Sequence, residues 1–129
     1  MNRLALLVMP LPLALLAGCA SVTTPDKPIE GPVALGQTAY VGGPAVTPLA
    51  VLEDSRCPKG VQCVWAGQVR VKVRVTGGSW SKELELNNRE GVPVADGELR
   101  LIAVTPERVK DRGFPARDYR FTFRFDGGL

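Results

Sequence analysis

The sequence predicts an all-β domain: a small antiparallel β-sandwich or partly open barrel of about six to seven strands. Three observations carry this. Apolar and polar residues alternate over Gln68 to Thr76 and again over Arg117 to Asp126, the period of a half-buried strand. No stretch of useful length keeps the period of an amphipathic helix. Fourteen glycines and eleven prolines, some clustered as in Gly42-Gly43-Pro44 and Gly77-Gly78, cut the chain into short runs.

Residues 35–129 are expected to form a single β-domain, long enough for one modest core. Gln37 to Val41 reads as a short strand ending at Gly42-Gly43-Pro44. Ala45 to Glu53 is a second strand, apolar on both faces in its middle, and Pro48 marks an edge position or a bulge. Gln68 to Thr76 is the clearest strand: Val69, Val71, Val73 and Val75 point one way, Arg70, Lys72, Arg74 and Thr76 the other. Gly77-Gly78 then predicts a two-residue primed turn into Ser79 to Leu86. The apolar phase of that run is Trp80, Leu84 and Leu86, broken by Lys82, which is expected near a rim with its stem over apolar surface. Val92 to Ala95 is a strand stub before a turn at Asp96-Gly97. Glu98 to Thr105 carries Leu99 and Leu101 on one face and Ile102 and Val104 on the other, the pattern of a central or doubly covered strand. Pro106 ends it, and Glu107 to Ala116, with five charges, is an exposed connection with room for one helical turn. Arg117 to Asp126 turns Tyr119, Phe121, Phe123 and Phe125 inward and forms the centre of the core. Burial of the three phenylalanines would contribute on the order of 6–9 kcal/mol before entropy.

The first eighteen residues read as a signal peptide that is removed: Arg3 is its positive n-region and Leu4 to Ala17 its apolar h-region. Leu16-Ala17-Gly18-Cys19 resembles the lipobox of bacterial lipoproteins. That resemblance implies cleavage before Cys19 and lipidation of Cys19 with palmitate-type chains, two or more of which give a stable membrane anchor. With Ala20 after the cysteine, the implied location is the cell envelope, at the periplasmic face of the outer membrane if the host has one. Residues 19–34, with Pro25, Pro28 and Pro32 and no period of either kind, are expected to form the lipidated cysteine and a flexible tether. After cleavage fifteen basic and thirteen acidic side chains remain, a balance of 15 − 13 = +2 that does not point to nucleic acid.

Export leaves Cys57 and Cys63 as an even pair in a disulfide-permissive compartment, with Pro58 and Gly60 bending the chain between them. Trp65 is expected to pack on the disulfide and the strand tops, Gly67 to allow a tight entry into the next strand, and Arg56 to pair with Asp54 or Glu53. The runs Glu53-Asp54-Ser55-Arg56-Cys57-Pro58 and Cys63-Val64-Trp65-Ala66-Gly67 resemble a segment shared by small uncharacterised bacterial secreted or lipid-anchored proteins. Leu99-Arg100-Leu101, Thr105-Pro106 and Asp118-Tyr119 resemble the closing part of that group. The resemblance supports the architecture and implies no catalytic residues and no cofactor.

Function is less legible. A chain without histidine lacks the usual acid–base shuttle, histidine-assisted nucleophiles and the commonest zinc ligand. Two cysteines with five residues between them and no helix behind them do not suit thiol exchange. Glu83 and Glu85 on one strand face have the spacing of an inverting glycosidase pair, but alternating glutamates are the ordinary content of a wet face. Calcium-loop spacing is missing around Asp111 and Asp118. A serine–lysine dyad stays open. The reading is therefore a membrane-anchored envelope lipoprotein acting as a binding or structural module. The alternatives are a protease inhibitor presenting Lys59 on the Cys57–Cys63 loop, and an envelope enzyme without histidine chemistry. Arg70, Lys72 and Arg74 on one strand and Arg120 and Arg124 on another make a candidate binding patch, if both strands share a sheet. An anionic envelope component or an envelope protein is its candidate partner; the alternative is neutralisation by Glu83, Glu85 and Asp118.

Overall fold

In the computed structural model, which describes residues 10–14, 18 and 29–128, two antiparallel sheets face each other. The first is ordered β1-β2-β3-β4, from Ala39–Tyr40, Ala45–Asp54, Val69–Thr76 and Ser81–Asn87. The second is ordered β5-β6-β7, from Val92–Val94, Gly97–Thr105 and Arg120–Asp126, with a 3-10 turn at Ala116–Asp118 before β7. The expected sandwich is present and the barrel is not. Cys19, most of the expected signal peptide and most of the tether lie outside the described residues.

The core follows from the alternation. Val69, Val71, Val73 and Val75 of β3 are fully buried, facing Leu99, Leu101, Phe121 and Phe123 from the other sheet. Tyr119 and Phe125 are partly buried against the same cluster. Where the sequence showed apolar residues on both faces, the cause is a bulge, which inserts a residue and reverses the phase. In β2 the register shifts after Pro48 and again after Val51, so Val46, Pro48, Val51 and Asp54 oppose Val75, Val73, Val71 and Val69. Pro48 therefore marks a bulge in an interior strand, not an edge. In β6 the shift falls between Leu101 and Ala103, so Leu99, Leu101 and Val104 oppose Phe125, Phe123 and Phe121 while Ile102 is left exposed. This strand is central in its sheet but covered on one face only.

Two turns differ from expectation. Thr76 pairs with Ser81, and Gly77 N–H donates to Trp80 O at 2.9 Å, so the β3–β4 hairpin turns around Gly78-Ser79. Neither Gly77 nor Gly78 has positive φ, and the primed turn is absent. In the β5–β6 hairpin Val94 pairs with Gly97, which places Ala95-Asp96 at the tip with Ala95 at φ 50°. Gly97 is required for close approach: a Cβ there would lie 2.2 Å from the Asp126 carbonyl oxygen.

Lys82 breaks the apolar phase for a structural reason. It opposes Val75 on the inner side of β4, an edge strand, and its ammonium lies 5.7 Å from the Trp80 ring centroid. An inward-directed charge on an edge strand discourages pairing with another chain.

The packed unit begins before Leu35, which corrects the end of the tether. Val33 is fully buried and exchanges both backbone hydrogen bonds with Phe121, at 2.9 and 2.8 Å. Ile29 pairs in parallel with Ala39, and its carbonyl accepts from Tyr40 N–H. Residues 29–33 thus strap the two sheets together along their β1 and β7 sides.

Candidate functional site

The β2–β3 hairpin continues past the sandwich as a narrow neck. Ser55 N–H donates to Gln68 O at 2.8 Å and Cys57 N–H to Ala66 O at 3.2 Å, after which the Cys57–Cys63 disulfide closes the tip. Gly67 makes the neck possible: at φ 68°, with a hypothetical Cβ 1.7 Å from Ser55 O, no other residue fits. Val61 N–H donates to Pro58 O inside the ring.

Beneath the neck lies a polar cluster that braces it against the second sheet. Asp54 lies on the inner face of β2, opposite Val69, and the Arg56 guanidinium grips its carboxylate in a fork of 2.8 and 2.9 Å. The side chains of Arg56 and Asp54 are only 15% and 10% exposed. Arg56 also donates to the carbonyls of Val104 and Pro106, and Arg108 donates to the Arg56 carbonyl at 2.7 Å. Tyr119 Oη donates to Asp54 at 2.7 Å, with its ring against Phe114 and Phe121. Burial works against ionisation of Asp54, but the bonds from Arg56 and Tyr119 outweigh it and hold the carboxyl below its usual range. Burial, with the Asp54 carboxylate beside it, pushes the Tyr119 hydroxyl up to about 12. The bond to Asp54 raises the already high pKa of Arg56. Each group thus keeps the protonation state the bonds require.

The expected residues sort as follows. Arg56 pairs with Asp54, as one of its two expected partners. Trp65 does not cover the disulfide: it is 82% exposed and Val64 is 93% exposed, because the neck turns both side chains outward from the sandwich end. Lys59 is exposed, with its ammonium 4.0 Å from Glu107. Its backbone N–H is bonded to Arg108 O at 2.8 Å, so the tip is tied to the 107–113 connection and is not a free extended segment of the kind a protease binds.

The basic patch fails its geometric condition. Arg70, Lys72 and Arg74 lie on β3 and Arg120 and Arg124 on β7, in different sheets with opposite outward faces. The β3 group is also interleaved with carboxylates: Arg70 bonds Glu53 and Glu85, and Lys72 and Arg74 both pair with Glu83. The bond from Arg70 lowers the Glu53 pKa, and those from Arg74 and Lys72 lower that of Glu83. Arg124 pairs with Asp126, and Arg120 donates to the carbonyls of Arg117 and Tyr119. Among the described residues no three acidic or sulfur side chains converge as metal ligands, and no buried side-chain polar atom lacks a partner.

The brace of Asp54 by Tyr119 has no signal in the sequence, because the two residues lie 65 positions apart. No family model, curated protein or solved structure matches the chain.

Proposed function

We propose that the protein is a binding module of the cell envelope, anchored through Cys19, that engages a protein partner through its disulfide-closed tip. The observation that carries this is the exposure of Val64 and Trp65 on a tip fixed at its neck, by its disulfide and by the Asp54–Arg56–Tyr119 brace. Adjacent large apolar side chains held in water need a compensating role, and a rigid exposed tryptophan is the commonest anchor of an interface. Little ordering entropy is then lost on association. The inhibitor reading has less support, because the Lys59 backbone N–H is already bonded to Arg108 O.

A photo-crosslinking side chain at position 65, compared with one at position 79 on the opposite end, tests the reading in envelope preparations from the native host. A discrete adduct from position 65 alone, lost when Val64→Asp is added, supports it. With the crosslinked protein in hand, Trp65→Ala should weaken binding by roughly 2 kcal/mol or more, about thirtyfold. Equal labelling from both positions refutes it.

A further inference from the structure

Charge is spread unevenly over the sandwich. Residues 54–67 and 104–120 meet at one end: Arg56 donates to the carbonyls of Val104 and Pro106, Tyr119 to Asp54, and Lys59 N–H to Arg108 O. These two segments hold seven basic and four acidic side chains, a surplus of three. The other described residues hold seven basic and eight acidic ones, so the positive excess of the fold lies entirely at the end that carries the tip.

Pairing sharpens the difference. On the flanks Arg70, Lys72, Arg74, Arg100 and Arg124 each have a carboxylate partner. At the tip end Lys110, Arg112 and Arg117 are exposed and, among the described residues, pair with no carboxylate. Val109, bridged to Lys59, is exposed as well, so apolar and cationic side chains share this end. A shallow recess lies between the disulfide ring and the connection after β6, lined by Arg56, Cys57, Lys59, Glu107 and Arg108. One nitrogen of the Arg108 guanidinium is spent on the Arg56 carbonyl, and its other N–H donors bond nothing among the described residues.

We infer that the partner surface engaged by the tip is acidic: an apolar pocket that takes Trp65, rimmed by carboxylates that face Lys110, Arg112, Arg117 and the Arg108 recess. This rests on the protein-partner reading above. An apolar anchor at the centre of an interface supplies most of the binding energy, while charges at its rim govern encounter and register. Cations that already hold a carboxylate have little to gain from a second one; those left in water do gain when a complementary surface approaches. A lipid surface of uniform negative charge fits less well, because it would also meet Asp111, exposed between Lys110 and Arg112, and Asp118 beside Arg117. A protein surface can set its carboxylates against the cations and leave those two positions clear.

The test measures the rate of adduct formation from a photo-crosslinking side chain at position 65 of the full chain, in envelope preparations from the native host. Ionic strength is raised from about 0.01 M to about 0.15 M, which shortens the Debye length from about 30 to about 8 Å. The rate should fall roughly tenfold, the lower bound for electrostatically steered association. Combining Lys110→Gln, Arg112→Gln and Arg117→Gln should slow the reaction at low salt by a similar factor and remove most of its salt dependence. Combining Lys72→Gln, Arg100→Gln and Arg124→Gln removes the same net charge from exposed flank positions and should leave both readings close to those of the unsubstituted chain. The partner peptide joined to position 65, sequenced by mass spectrometry, should be rich in aspartate and glutamate. A protein adduct whose rate ignores salt, responds equally to both sets of substitutions, or joins a peptide without carboxylates overturns the acidic surface and leaves the protein-partner reading standing. A phospholipid adduct, or no discrete adduct, overturns that reading as well.

Discussion

Replacing Tyr119 by phenylalanine isolates one bond of the brace, because the ring keeps its packing on Phe114 and Phe121 while the hydroxyl on Asp54 is lost. A hydrogen bond to a charged acceptor contributes about 1.5–3 kcal/mol. The hydroxyl's rise from 10.0 to about 12, caused first by burial and then by the bond to Asp54, points the same way. Tyr119 is only partly buried, so about 1–2 kcal/mol is expected at neutral pH. The folded state holds this proton more tightly than the unfolded chain does, so the contribution is complete below pH 10 and disappears as pH rises toward 12. Urea unfolding at a series of pH values should therefore show wild type more stable by about 1–2 kcal/mol at pH 7. The two curves should converge between pH 10 and 12. Equal stabilities at pH 7, or a difference unchanged at pH 12, would refute the claim that this bond braces the neck.

Asp54→Asn should remove the acid-side counterpart: the lowered carboxyl pKa gives stability that is present above about pH 4 and lost as pH falls through the folded value, so the variant's midpoint should vary less in that window. Cys57→Ala with Cys63→Ala should lower unfolding free energy by about 2–3 kcal/mol in denaturant titrations, and partner crosslinking from position 65 should weaken with it. A chain starting at Leu35 should expose the β7 edge and lose cooperative unfolding, while one starting at Ile29 should keep it, as read by calorimetry. Lys82→Val should leave the monomer folded but raise light scattering on concentration, because the edge strand β4 loses its inward charge.

What the sequence revealed depended on an unbroken period of two. β3 and β7 keep it, and their buried and exposed residues could be named in advance: Val69 to Val75 on one, Phe121 and Phe123 on the other. β2 and β6 do not, since bulges near Leu49, Leu52 and Ile102 leave no residue-type signature beyond Pro48. Val104, which simple alternation places with Ile102, consequently joins Leu99 and Leu101 on the inner face. The brace was hidden by distance along the chain instead. Counted without bulges, Asp54 shares the parity of Val46 and Pro48, and so the inner side, only by coincidence of two reversals that cancel. Nothing in that count tells of Tyr119, sixty-five positions away. The end of the tether was misplaced for a different reason: Pro28, Gly31 and Pro32 carry the composition of a linker, yet one valine pairing with β7 draws the segment into the fold.

Trp65 shows how a local expectation fails through its neck. A tryptophan two positions after a cysteine has every opportunity to cover a disulfide, and apolar burial would favour it. Here Cys57 N–H bonds Ala66 O while Ser55 takes Gln68 O, and the crossing at Gly67 leaves no space for a side chain on the inner side. The inner position at that end is already filled by Arg56, whose guanidinium satisfies Asp54 and two carbonyls of the second sheet. Removing an indole from water there would require displacing a paired charge from the same space, at a cost of several kcal/mol that the indole's own burial would not recover. The brace that stiffens the neck is therefore also what keeps Val64 and Trp65 outside, and loosening it through Tyr119 or Asp54 should reduce binding at the tip without touching either exposed side chain.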